Sequence, residues 1–403
     1  MAVQLLSHGC VTRVDFDERI EFQLMRQYRH VTRCHFKDRL PVKVHQTVCA
    51  PNTETMAAGM IPGYHSTAEY HFCDEQADAI CRTAAYHRKD YSLALIWFSA
   101  REHTDIRSSI ATPFRTTADR GLGSLNRLPL ELWYDVLLRL DMQSLFKLRQ
   151  TSLGSREWVD SLHQYQMVVS HGLNLFCALL RTRLADSVSL AGFYSILCTE
   201  ACELCGEFTG YISLLTWKRC CFQCLQVAPE LRLQTLAATR KQFHLTKVET
   251  GQLRSFKTLP GIYSMDELPQ KSRIAVICVH QAIPVVKKNA PALGQPVGSS
   301  RSNKLNFMGA IALPYYDRGT GKIEHGLSCA GCQLAIEKDI IGTRGEKWAF
   351  EARDKVYSRH GFLEHFRWCE QAHGLWRSSG EGAHVPSDLP EGARRGGYFN
   401  LRE

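Results

Sequence analysis

No stretch of this 403-residue chain is apolar for long enough to cross a bilayer. Its strongest run, YSLALIWFSA from Tyr91 to Ala100, falls well short of the roughly 20 residues a span needs. The opening MAVQLLSHGC lacks the apolar core of a secretory leader. There is no glycine-rich phosphate loop, no Gly-x-Ser-x-Gly turn and no His-Glu-x-x-His pair. No segment repeats. These absences argue against a membrane span, P-loop nucleotide hydrolysis, a nucleophile-elbow hydrolase and a zincin. Charge of one sign is not in great excess either. Lys and Arg number 49 against 40 Asp and Glu, a net +9, which allows acidic partners without demanding nucleic acid. With 44% hydrophobic and 22% charged residues the composition is globular, and the length suits two or three domains. The expectation is a soluble protein of the cytoplasm and/or nucleus.

Cysteine, by contrast, is plentiful. Sixteen are present, several in close pairs. Inside a reducing compartment such pairs read as metal ligands rather than disulfides.

The most patterned stretch runs from Leu125 to Ser161. Leu128, Leu132, Val136 and Leu140 recur every fourth residue beside Leu137, one broad apolar stripe of a helix. Pro129 suits a first helical turn, and Glu131 offsets the helix dipole. Asp141 is placed to cap a second helix bearing Leu145, Phe146 and Leu148. Ser152 or Ser155 is placed to cap a third, bearing Trp158 and Leu162. About 40 residues cannot close a stable core alone, so a partner or neighbouring domain must cover the excess apolar surface. Periodicity alone favours an ordinary internal helical hairpin. The full pattern is Leu125-x-x-Leu128-Pro129-x-x-Leu132, then Val136-Leu137-x-x-Leu140, then Leu145-x-x-Leu148-Arg149. It resembles the F-box family over its whole length. That resemblance implies docking of Leu128, Pro129, Leu132, Val136, Leu137, Leu140, Leu145 and Leu148 on the Skp-type linker of a cullin-based (SCF) ubiquitin ligase. It also implies an adaptor with no catalytic residue, selecting a protein target that the sequence does not identify.

Two cysteine clusters follow. Cys202 and Cys205 form one C-x2-C pair, and Cys221 and Cys224 another, with an alternating, strand-like TGYISLLTW between them. Two such turns close a tetrahedral four-thiolate shell, the chemistry of a structural zinc ribbon. Cys220 has the poorer spacing and is read as a spare thiol. The second cluster is split: Cys329 and Cys332 in one pair, then His365 and Cys369 at a spacing that places both on one helical face. His373, a further turn along, is the alternative ligand. Two structural Zn2+ ions are therefore expected. CELCG, RCCFQC, LPGIYS, GLSCAGCQ and FLEHFRWCEQAHGLW extend the resemblance to zinc-binding F-box proteins numerous in fungi, over about Leu125 to Trp376.

The expected fold is α+β: an irregular N-terminal segment, a three-helix F-box, then a zinc-stabilised mixed helix and hairpin domain. The divisions are a poorly defined, partly disordered extension at 1–124, the F-box at 125–170, a zinc-binding recognition domain at 171–377 and a disordered tail at 378–403. Within the recognition domain a flexible loop is expected at 287–304. A helix is predicted near Asp74 to Lys89, strands over Tyr91 to Phe98 and Arg273 to Val279, and a hairpin turning at Arg318 to Gly321. The competing readings are a zinc-ribbon protein binding nucleic acid, marked by steep salt dependence, and a metal- or thiol-dependent enzyme, marked by an open coordination position. Nucleic acid and membrane are not favoured partners.

Overall fold

The computed structural model describes residues 66–99, 102, 104–111, 129–282, 304–340 and 346–400. The expectations for residues 1–65, for Leu128 and for the loop 287–304 up to residue 303 lie outside the described residues.

The N-terminal part comprises α1 (Ala77–Ala84), β1 (Ala85–Tyr86), α2 (Lys89–Leu93) and α3 (Thr104–Ala111). Helices α4 (Leu130–Arg139), α5 (Met142–Arg149), α6 (Leu153–Ser161), α7 (His163–Thr182) and α8 (Leu190–Leu197) follow. The starts of α5 and α6 obey local chemistry. The Ser144 N–H donates to Asp141 Oδ1 at 2.8 Å, and the Ser155 N–H donates to Ser152 Oγ at 3.1 Å, so Ser152 is the cap. Pro129 occupies the N-cap of α4, one place before the helix begins. Arg149, 1% exposed, reaches Asp160 at 2.6 Å and ties α5 to α6.

The middle region holds β2 (Tyr211–Ser213), β3 (Lys218–Cys220), α9 (Phe222–Val227), β4 (Leu233–Thr235), α10 (Leu236–Gln242) and α11 (Lys247–Gln252). It continues with β5 (Ser255–Lys257), β6 (Gly261–Tyr263), β7 (Leu268–Gln270) and β8 (Ala275–Cys278). After α12 (Lys304–Met308) come β9 (Ala310–Ala312), β10 (Tyr315–Tyr316), β11 (Ile323–Glu324) and β12 (Ser328–Cys329). Helices α13 (Ala330–Glu337), α14 (Lys347–Asp354), α15 (Arg359–Phe366), α16 (Glu370–Ser378) and α17 (Glu391–Arg395) complete the fold. The sheets are small and antiparallel: β3-β2-β9, β4-β8-β5, and the pairs β1-β12, β6-β7 and β10-β11.

Two main cores organise most of these elements. The larger joins the helical region to the three-stranded sheets: Leu137, Met142, Leu145 and Val159 pack in one cluster with Phe176, Phe193, Ile212, Val276 and Ile311. The short helices α4–α6 thus share their core with α7, α8 and the sheets. The smaller core gathers Ile80, Ala84, Cys329, Cys332, Phe362, Phe366, Cys369 and Trp376.

The structure departs from the sequence expectations in three places. First, residues 66–99 are not a loose extension. β1 pairs with β12, Ser66 and Tyr70 donate backbone bonds to Trp368 and Arg367 at 2.9 Å each, and Ile80 is fully buried. The segment has no clear period because it contributes short pieces to another module's core. Second, residues 378–400 form an ordered strap. Glu337 accepts the N–H groups of Glu391 and Gly392 at 2.9 Å each, and Ala393 is buried. Gly397, at φ +115°, lets the backbone lie against the Asp90 carboxylate, which a Cβ would approach to 2.0 Å. A composition rich in glycine imitates disorder, yet here glycine permits close contact. Third, Tyr91 to Phe98 is not a strand. Its first part is helix α2, and Ile96 makes an isolated parallel bridge to Ile311. Burial of Tyr91, Leu95, Ile96 and Phe98 explains the apolar run without a sheet.

Candidate metal centres and the exposed helix face

Both cysteine clusters converge. The ligand atoms of Cys202, Cys205, Cys221 and Cys224 lie within 4.8 Å of one another, as do those of Cys329, Cys332, His365 and Cys369. The Cys205 and Cys221 sulfurs stand 3.6 Å apart, as do those of Cys329 and Cys369. The Cys332 sulfur stands 3.4 Å from His365 Nε2. Ligand atoms on a tetrahedral zinc stand roughly 3.3–4 Å apart. No disulfide joins the described cysteines.

The two sites are built alike. In each, one C-x2-C pair opens a helix, with Cys221 capping α9 and Cys329 capping α13. The Cys224 N–H donates to Cys221 Sγ, and the Cys332 N–H donates to Cys329 Sγ, at 3.4 Å each. Helix N-termini aimed at sulfur favour its anionic form, the form that binds metal. The first pair closes through Gly206 at φ +77°, whose N–H donates to the Cys202 carbonyl at 2.9 Å. The hairpin β2-β3 between the pairs is the expected ribbon, widened by β9.

Electrostatics point to a shared cation. In the first cluster the Cys221 side chain, hydrogen-bonded to Cys202, holds that thiol down at about 4, and the same bond pushes Cys221 well up. In the second, Cys369 is held well below its ordinary value, first by Cys329 and then by Cys332, while Cys332 is driven well above it, first by Cys329 and then by Cys369. Burial alone pulls the His365 imidazole down, but Cys329 and Cys369 outweigh it and take it up to about 10. Thiols this close cannot all ionise beside one another, and a divalent cation removes that conflict. A four-thiolate zinc carries net negative charge. Arg219, wholly buried two residues before Cys221, supplies a positive charge nearby. Its guanidinium donates to the carbonyls of Leu313 at 2.6 Å, Thr209 at 3.1 Å and Thr199 at 3.2 Å. Soft donors, tetrahedral spacing and no open coordination position fit structural zinc at both places. The clusters are compatible with two zinc sites.

The uncertain positions resolve. Cys220 is fully buried on β3, opposite Tyr211, while Cys221 turns into the cluster. His373 points away: its Nε2 lies 2.5 Å from the Phe366 carbonyl, and its ring stacks on Tyr70 at 4.6 Å. His365 and Cys369 do meet, but not on one helical face. α15 ends at Phe366, and Cys369 caps α16 across the break. His365 is oriented by Tyr357, stacked at 5.0 Å.

The apolar stripe of α4 divides in two. Leu132 and Val136 are 53% and 46% exposed, and Pro129 is exposed. Leu137 and Leu145 are 1% and 0% exposed, members of the large core, so neither can meet a partner without opening the fold. Leu140 and Leu148 are half-buried against that core. The family model of the F-box domain matches residues 125–167. The chain carries an F-box domain. Its first described residues, Pro129 and α4, present the open apolar pair outward. Comparison with curated proteins finds no match, and neither does comparison with solved structures. Among the described residues no helix is long and apolar enough to cross a membrane.

Proposed function

We propose that this protein is a substrate receptor of an SCF-type ubiquitin ligase. The F-box at 125–167 carries the reading. Leu132 and Val136, open on its first helix, supply the apolar surface that a Skp-type linker would cover, with the cullin recruited through that linker. Such a receptor needs no acid, base or nucleophile of its own, because holding a target near a charged ubiquitin carrier supplies the rate gain. The rest of the chain presents the target surface, and two structural zinc ions, one per cluster, hold it in shape. Free thiols in ligand geometry suit a reducing compartment, the cytoplasm or nucleus.

Capture of the linker from a co-expression lysate tests the reading. The unmodified chain should retain it, and Leu132→Arg with Val136→Arg should lose it while zinc content stays at about two equivalents. Failure of the unmodified chain to retain any linker would overturn the assignment. Chelation should melt the region after the F-box, since structural zinc contributes apparent binding energy on the order of 10–16 kcal/mol in small domains.

A further inference from the structure

The net charge of the chain is concentrated in one segment of the sequence. Residues 227–304 carry twelve Lys and Arg against four Asp and Glu, which is +8 of the total +9. In the described part of this segment Lys241, Lys247, Lys257, Lys271 and Arg273 are all exposed, and none joins an ion pair. Cations elsewhere are commonly neutralised, as in Arg88 with Asp90, Arg149 with Asp160 and Lys355 with Glu207.

The sheet β4-β8-β5 gives this charge a frame. Val276 and Cys278 of β8 face the large core, whereas Ile277 and Val279 face a separate small core with Phe243, Leu245 and Leu253. β5 is an edge strand. Its register sets Lys257 opposite Ala275, and the Thr258 N–H bond to the Ile274 carbonyl at 2.9 Å extends the ladder. Alternation then turns the backbone N–H and C=O of Ser255 and Lys257 away from β8. Both residues are exposed, and no hydrogen bond from the described residues reaches those outward groups. Arg273, also exposed, lies two residues before Ala275, the register partner of Lys257.

We propose that the β5 edge is the target-docking strand, and that it takes an extended segment rich in Asp and Glu by strand addition. This rests on the receptor reading above. Edge backbone groups would supply the main-chain bonds, and Lys257 and Arg273 would select carboxylates. The same lysine keeps an uncharged strand or a second copy off the edge. Four of these five exposed cations are lysine, which meets a phosphate as a point charge and not through the bidentate fork of arginine. Phe243, Phe256 and Tyr263 of this segment are buried, so none of these three rings is open for nucleic-acid bases to stack on.

The test is a binding titration of the full chain with a short, labelled peptide rich in Glu and Asp. Its comparators are the Gln and Asn counterpart, a phosphoserine peptide of equal charge and a single-stranded DNA. The acidic peptide should bind best, and more weakly as salt rises. Lys257→Glu with Arg273→Glu should weaken it about tenfold or more, while Lys322→Glu, on a different hairpin, should not. Ser255→Pro removes one outward N–H without changing charge and should also weaken binding, with zinc content and circular dichroism unchanged. Equal binding of the amide peptide, no loss on double charge reversal, or tighter binding of DNA or phosphopeptide would each overturn the proposal. Linker capture on the same samples separates the two readings. Capture lost with peptide binding kept removes the receptor role alone, and the reverse removes the docking strand alone.

Discussion

Ala85 is the antiparallel register partner of Cys329. A residue from the first hundred therefore fixes the strand that delivers a thiol of the second cluster. Helix α1 continues the contact, burying Ile80 and Ala84 in the same core as Cys329, Cys332 and Cys369. The second centre thus depends on a segment that precedes the F-box in sequence.

Deleting residues 1–86 should cost the chain about one of two zinc equivalents, counted by elemental analysis. The first cluster, built on β2, β3 and α9, should keep its metal. Retention of both equivalents would show that α1 and β1 merely lie on a module that closes without them.

Gly331→Ala should damage the second centre from outside its ligand set. A Cβ at Gly331 would stand 2.3 Å from the Ala372 nitrogen and 2.8 Å from its Cα, forcing α13 and α16 apart. Those helices start at Cys329 and Cys369, the pair now 3.6 Å apart. Overpacking of this kind costs typically 1–3 kcal/mol, and backbone contact puts this case at the upper end. Zinc competition with a chromogenic chelator should show the second site releasing metal earlier than in the unmodified chain.

Leu132→Arg and Leu137→Arg should separate docking from folding. At Leu132, half open to solvent, the charge should remove linker binding with little change in melting temperature. At Leu137, 1% exposed, it should destabilise the helical region by several kcal/mol, and any loss of linker would follow unfolding. Equal melting temperatures for the two variants would contradict the burial described.

Acid should loosen the C-terminal strap through Glu337. Burial pushes this carboxyl up. Bonds from the Tyr398 hydroxyl, the Gly392 N–H, the Gln333 amide and the Glu391 N–H outweigh it, and the group lies below its ordinary value of 4.5. A depressed carboxylate contributes stability above its unfolded pKa and loses it as pH falls through the lower, folded value. Hydrogen exchange over residues 391–398 should therefore accelerate below about pH 4.5. Because acid also strips thiolate-bound metal, Glu337→Gln at neutral pH is the control. It should speed exchange in the strap, a weakening of roughly 1 kcal/mol, with zinc content unchanged.

What could be read without coordinates was local. The Asp141 and Ser152 caps, the C-x2-C turns and the β10-β11 hairpin depend on neighbours a few residues away, and sequence spacing carries that information. The pairing of β1 with β12 and the strap against Asp90 join distant segments whose own composition is unremarkable. The α4 stripe shows the same limit in one helix. Period identifies Leu132 and Leu137 alike as apolar, but only tertiary packing, with α8 against α4, decides that one is core and the other surface. At His365, four residues from Cys369, spacing suggested a continuous helix. The break after Phe366 brings the two ligands together by another route and swings His373 onto Tyr70.

The split construction of the smaller core also sets an order of events during synthesis. The F-box helices and the first metal ribbon are complete once the ribosome has released residues up to β9, so that part can fold while translation continues. Ile80, Ala84 and Tyr86 have by then emerged without their partners, which lie much later in the chain at Cys329, Trp376 and Ala393. Until those partners emerge they are exposed apolar residues on a nascent chain, the state in which a chaperone binds. A premature stop between β9 and α13 would leave a protein able to present its F-box helix, with the α1 segment unfolded and open to degradation.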